Sequence, residues 1–174
     1  MSHTNSWCTN DWRNVDRVTM TTPDTVPTDP LALDQQVCFA VVVAARNVVG
    51  LYRPILEPMG LTHPQYLVML ALWQHAPLSV KRLSELLQLD PGTLSPLLKR
   101  LEAAELVSRR RDAADERQLA VELTERGRAL RERALEVPPA VVQRLGMPVS
   151  ELQALHASLT RVIEATQTHP EAVR

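Results

Sequence analysis

Chemistry in this 174-residue chain begins with sulfur: Cys8 and Cys38 are its two cysteines. A thiolate is the form that peroxides oxidise, first to a sulfenic acid. Composition alone treats Cys38 as a small buried hydrophobe, the commoner fate of a lone cysteine. Its position adds something. Asp34 is placed to cap a helix, so Cys38 falls in the first turns, where unpaired amides and the helix dipole favour a thiolate. The Asp34 carboxylate opposes a second anion, and the balance stays open at this point. Tyr52, fourteen residues on, lies within about 40° of the Cys38 face but about 21 Å further along the axis. The two can meet only across a second, antiparallel copy of the helix, so a Cys38–Tyr52 contact implies a dimer. The phenol would then give the thiolate a hydrogen-bond donor.

The second set of residues is cationic. Between Gly92 and Arg111, Lys99, Arg100, Arg109, Arg110 and Arg111 outweigh Glu102 and Glu105, a local balance of +3 inside a chain of net charge −1. Thr93 and Ser95 precede them. Small hydroxyls let a helix approach base edges while lysine and arginine reach phosphates, the division of labour of a DNA-reading helix. Arg117 stands at a hairpin turn, where it can enter a minor groove with Asp115 as its brace.

The elements that must position these groups follow from periodicity. Residues 1–33 carry prolines at 23, 27 and 30 and an acidic balance, and read as a flexible tail. From Asp34, Val37, Val41, Ala44, Val48, Leu51 and Ile55 recur at steps of four and three, a helix that Pro54 and Pro58 are expected to end. A second helix spans Pro64 to about His75, with Gln65 and Tyr66 supporting it and Trp73 packed on its other side. Ser79 caps a third carrying Leu83, Leu86 and Leu87. Asp90-Pro91 opens a fourth, with Leu94, Leu97, Leu98 and Leu101 on one face. Leu106–Arg111 and Gln118–Leu123 flank a polar turn as a β-hairpin. Thr124-Glu125 starts a long helix to about Glu136, and Ser150 caps the last one to about Thr166. The predicted fold is mainly α with a small β-hairpin wing: a winged helix-turn-helix at 64–123 within a 34–174 domain. Its dimer would be formed by the N- and C-terminal helices, 34–58 and 124–168.

LDPGTLSPLLKRLEAAELVSRRRDAADERQLAVELTERG (Leu89 to Gly127) resembles the winged-helix core of the MarR transcriptional regulators. The wing pattern Asp115-Glu116-Arg117, then Leu123-Thr124 and Gly127, carries the likeness. VCFAVVVAARNVVGLYRPILEPMGLTHPQYLVMLALW (Val37 to Trp73) resembles the organic hydroperoxide-resistance regulators within that family. The resemblance implies a homodimer on double-stranded, pseudo-palindromic operator DNA, with Cys38 and Tyr52 as an intersubunit sensor. An organic hydroperoxide would oxidise Cys38 and release the operator. No cysteine follows Cys38, so a low-molecular-weight thiol is the expected partner for a mixed disulfide, with Cys8 as a further candidate. Where the subgroup has two more tyrosines, this chain has Val42, which cannot donate, and His63. As an imidazolium His63 would lower the thiol pKa; otherwise it is a surface turn residue beside Pro64.

Other classes fit less well. The apolar run Phe39–Ala45 falls far short of the roughly 20 residues that cross a bilayer, and no basic-then-apolar leader opens the chain, so a cytoplasmic protein without membrane contact is expected. Nucleophile elbow, phosphate loop and metal-ligand spacing are all missing from the sequence, so no enzyme activity, metal or cofactor is expected. His75, His156 and His169 are too scattered to hold a metal. The competing reading is a MarR-type repressor that answers to a small phenolic or apolar acid, with Cys38 structural.

Overall fold

The chain divides into two compact units, Met1–Val42 and Val43–Arg174, and the computed structural model describes residues 29, 31–111 and 119–167. Most of the predicted 1–33 tail, with Cys8, therefore lies outside the described residues.

In the first unit a turn in which the Leu31 N–H donates to the Asp29 carboxylate leads into a 3-10 turn at Leu33–Gln35. Gln36 is extended (φ −82°, ψ 117°), and the helix α1, Val37–Leu56, starts after it. Asp34 therefore sits in the 3-10 turn and does not cap α1, a correction to the sequence reading. Pro54 does not end α1 either. The helix runs two residues past it, and a 3-10 turn at Glu57–Met59, which contains Pro58, makes the stop.

The second unit carries the core. The helix α2, His63–His75, is opened by Thr62, whose N–H and hydroxyl both donate to the Gln65 side-chain oxygen. A two-residue strand β1, Leu78–Ser79, precedes α3, Val80–Leu87, and α4 spans Pro91–Ala103. Strands β2, Val107–Arg111, and β3, Leu119–Leu123, form the predicted hairpin. β3 lies centrally, with β1 and β2 both antiparallel to it. β1 was invisible to periodicity because two residues cannot show one.

Leu94, Leu98 and Leu101 of α4 are fully buried against Leu72, Met69 and Leu83. At about 25 cal/mol per Å², such side chains each contribute roughly 1.5–3 kcal/mol, which holds the opposite, polar face of α4 to solvent. The helix α5, Glu125–Ala134, is shorter than expected, and a further helix α6, Val137–Leu145, follows it. Pro138-Pro139 hid α6 from the sequence reading, although prolines in a first turn remove only donors that have no partner there. The last helix α7 runs Val149–Gln167; Ser150 lies inside it and is not its cap.

The junction of α4, wing and α5 is tight. Glu105 adopts φ +57° as its N–H donates to Glu102 and the Leu106 N–H donates back to Leu101, a helix end that normally takes glycine. Buried Gly127 faces the Leu106 carbonyl, and a Cβ there would overlap that oxygen. Two substitutions should therefore act in opposite directions. In denaturant unfolding, Glu105→Gly is expected to stabilise the chain by about 0.5–1 kcal/mol through relieved left-handed strain. Gly127→Ala is expected to destabilise it by about 1–3 kcal/mol.

Candidate nucleic-acid interface and thiol site

The helix pair α3–α4 is fastened at each end. The Ser79 hydroxyl accepts from the Arg82 N–H at 3.1 Å. In the connecting turn the Ser84 hydroxyl donates to the Leu89 carbonyl at 2.6 Å, and Gln88 takes φ +52°. Asp90 caps α4: its carboxylate accepts from the Thr93 N–H at 2.9 Å and from the Thr93 hydroxyl at 2.5 Å. These bonds, the hydroxyl's foremost, hold the Asp90 carboxyl below its ordinary value. The Ser95 hydroxyl donates to the Pro91 carbonyl at 2.7 Å. Both hydroxyl protons are thus spoken for, which leaves the Thr93 and Ser95 oxygens as hydrogen-bond acceptors.

Lys99 and Arg100 are exposed on the same helix. Arg110 is open to solvent (74%) and only 3.8 Å from Glu122, a surface pair that adds little. Arg109 behaves differently. It is 21% exposed and bonded to Glu102 at 2.9 Å. The backbone of Arg111 pairs with Leu119, while Asp115 and Arg117 lie outside the described residues. Lys81, exposed on α3, is a further cation near this surface that the sequence reading passed over, whereas its neighbour Arg82 is paired with Glu85 at 3.0 Å. Their signal was present, since they lie in the first turn after the Ser79 cap of the helix that precedes the recognition helix.

In the first unit, Cys38 is exposed and free, at the second position of a helix with no acidic residue in its first turn. Within the single chain it is not the buried residue that composition suggested. Val37, Phe39, Val41 and Val42 around it are exposed as well. In the second unit, Tyr52 and His63 come together, with ring centroids 4.8 Å apart in an edge-to-face arrangement. Tyr66 follows at 6.0 Å from Tyr52, and Trp73 at 6.3 Å from Tyr66. The Trp73 indole N–H donates to the Gly127 carbonyl at 2.9 Å. Burial raises Tyr52, and burial followed by Tyr52 itself raises Tyr66, so both phenols remain protonated donors at neutral pH. Burial lowers His63. The imidazolium, one of the two alternatives open from the sequence, is therefore disfavoured, and His63 is packed on Tyr52 rather than loose in a turn. Among the described residues no cluster of three metal-ligating side chains occurs.

The helical stretch Val37–Met59 is, by length and composition alone, apolar enough to cross a bilayer, which the short run Phe39–Ala45 did not reveal. Arg46 near its middle would cost about 2.5–3.5 kcal/mol in the centre of a membrane. An apolar face bearing arginines suits a protein partner better.

The depressed His63 value has a measurable consequence. An unfolded imidazole binds its proton near 6.5, before the folded one does, so stability is complete above that pH and declines as pH falls through the window below it. Comparing urea midpoints at pH 7.5 and 5.5, we expect His63→Gln to lose less stability on acidification than the wild-type chain.

Comparisons with known proteins point to transcriptional regulators. The family profile of the transcriptional regulator SarA/Rot matches residues 50–133. The organic hydroperoxide resistance transcriptional regulator of Bacillus subtilis is 38% identical over 136 residues, covering 78% of this chain and 92% of that protein. The HTH-type transcriptional regulator TtmR of Methylorubrum extorquens is 49% identical over 127 residues, 73% of this chain and 65% of that protein. Among solved structures, reduced AbfR bound to DNA superposes with a TM-score of 0.63 at 32% identity, covering 76% of this chain and 93% of that one; AbfR is from Staphylococcus epidermidis. With a capped recognition helix, a three-stranded wing and these relatives, the chain belongs to the MarR family of winged-helix transcriptional regulators, alongside the organic hydroperoxide-resistance regulators.

Proposed function

We propose that this regulator is a homodimeric, cytoplasmic repressor that reads operator DNA through Thr93, Ser95, Lys99, Arg100, Arg111 and the Asp115–Arg117 wing tip, and that oxidation of Cys38 by an organic hydroperoxide releases it. The observation that carries the reading is an exposed thiol in the first turn of an uncovered apolar helix, in a chain 38% identical to a hydroperoxide-resistance regulator.

A second copy is the natural cover. Phe39, Val41, Val42 and Val49 of α1 are exposed, as are Leu155, Leu159, Val162 and Ile163 of α7, a helix with no buried residue. Faces of this size are seldom left to water by a monomer. In this reading residues 34–58 and 124–168 form the dimer, and 64–123 bind DNA. Tyr52 and His63 of one copy lie against Cys38 of the other. Among the described residues neither ring has a hydrogen bond to another group, so both are free to receive the sulfur.

The chemistry balances. The Cys38 thiolate attacks the terminal peroxide oxygen, the O–O bond breaks, and the sulfur takes that oxygen as a sulfenic acid. The alkoxide leaves as the alcohol after gaining a proton, for which the protonated Tyr52 phenol is a near donor. A small thiol can then displace water from the sulfenic acid to give a mixed disulfide. Either product is too large or too polar for a site shaped around a thiolate. A coupling of about 3 kcal/mol between that site and the recognition helices lowers DNA affinity more than 100-fold.

One feature favours the alternative of a small phenolic or apolar acid signal. Two grooves of about 450 Å³ each flank Trp73 and share the Arg131 cation, one with Tyr66 and Leu135, the other with Pro77 and Leu123. Cys38→Ser separates the two readings. After cumene hydroperoxide, intact-mass spectrometry should show one added oxygen, or a thiol adduct, on the wild type, and gel shifts should show its release from the DNA upstream of its own gene. The serine variant should stay bound. A variant that still lets go on peroxide treatment would remove Cys38 from the mechanism.

A further inference from the structure

Arg109 looks, by sequence, like one more phosphate contact in a run of three arginines. Its placement argues otherwise. Side chains alternate along a strand, and Arg109 shares its face with Val107, which is buried; its cross-strand partner Val121 is fully buried too. The aliphatic stem therefore lies over the core with only the tip near solvent. The tip is already engaged: Nη2 meets the Glu102 carboxylate at 2.9 Å. Nε is shielded from solvent and has no hydrogen-bond partner among the described residues, so among them the guanidinium relies on Glu102 for its compensation. Glu102 lies near the end of α4, one turn past Lys99. The neighbouring Arg110, on the opposite face of the strand, is the exposed member of the pair.

We propose that Arg109 is a positioning residue, not a DNA contact: its ion pair with Glu102 fixes the angle between the recognition helix and the wing, so that both reach the duplex together. This rests on the DNA-binding reading above, and assigns a favourable role to an acidic side chain on the DNA-facing helix. Simple electrostatics gives that carboxylate the reverse role, since a negative charge near phosphates should weaken binding.

That opposition of sign makes the test. Affinity of the full chain for a duplex from upstream of its own gene would be followed by fluorescence anisotropy over a series of salt concentrations. Arg109→Met and Glu102→Gln should each weaken binding by about tenfold at every salt concentration, the scale of a coupled pair. The slope of log affinity against log salt should stay at the wild-type value. The double variant Glu102→Arg with Arg109→Glu should bind more tightly than either single variant. Lys99→Ala gives the contrast, since losing a phosphate contact should shrink the slope by about 0.9. The proposal is overturned by tighter binding of Glu102→Gln, by a shallower slope for Arg109→Met, or by a double variant no better than Arg109→Met. Glu102→Gln keeps the question answerable even where Arg109→Met folds poorly. Wild-type protein without salt-dependent DNA affinity would sink the DNA-binding reading first, and is distinguished by its own titration.

Discussion

The arrangement turns on the approach of Gly127 to the Leu106 carbonyl. Leu106 is where α4 has ended and β2 begins, and Gly127 lies in the first turn of α5. Only a residue without a Cβ allows this contact, and three bonds gather round it. The Thr124 N–H donates to the Leu106 carbonyl at 3.1 Å, the Thr124 hydroxyl donates to the Glu105 carbonyl at 2.6 Å, and the Trp73 indole donates to Gly127 itself. Recognition helix, wing, α5 and α2 are thus pinned at one point. Buried backbone groups left unpaired there would cost about 1–3 kcal/mol each, so the four elements can shift as a set more readily than singly.

That pinning gives physical content to the idea of a signal reaching DNA. Tyr52, Tyr66 and Trp73 stand in a row of ring contacts that ends on Gly127. His63 adds an edge contact at the other end. Aromatic pairs of this kind are worth about 0.5–1.5 kcal/mol beyond the area they bury. A disturbance at Tyr52 therefore has a contiguous, rigid path to the base of the wing. Coupling along this row takes two arrangements of it that the two sites favour differently.

Much of this was legible in the sequence where several signals agreed. Asp90 followed by proline, then Leu94, Leu97, Leu98 and Leu101 at helical spacing, located the start and the buried face of α4, and the alternation of Leu119, Val121 and Leu123 located β3. Signals failed where one residue type serves two purposes. Proline stops a helix in its interior but suits its first turn, so Pro54 was over-read and α6 behind Pro138-Pro139 was missed. Asp34 has the chemistry of a cap, yet the extended Gln36 sets it apart from α1. The Cys38 surroundings were the least legible, because exposure depends on what covers a helix, and an apolar face reads alike whether the cover is its own core or another copy. Glu102 was counted only as a charge against the basic face. Its role depends on which strand residue stands across from it, information carried by the fold and not by spacing.

The same distinction explains how a chain with a net charge of −1 serves a polyanion. Formal charge counts Arg82, Arg109 and Arg126 equally with Lys99 and Arg100. In the fold, Arg82 is tied to Glu85 at 3.0 Å, Arg109 to Glu102 at 2.9 Å and Arg126 to Glu105 at 3.5 Å. A cation already paired with a carboxylate neutralises phosphates less fully, whereas affinity for DNA draws on the counterions that unpaired protein charge displaces from phosphates. Lys99 and Arg100 have no carboxylate partner among the described residues, and they stand on the helix whose leucine face is locked inward. A modest number of unpaired cations, held at fixed spacing by a buried apolar face, gives directional attraction. A larger uniform charge would attract more strongly but would not select an orientation on the duplex.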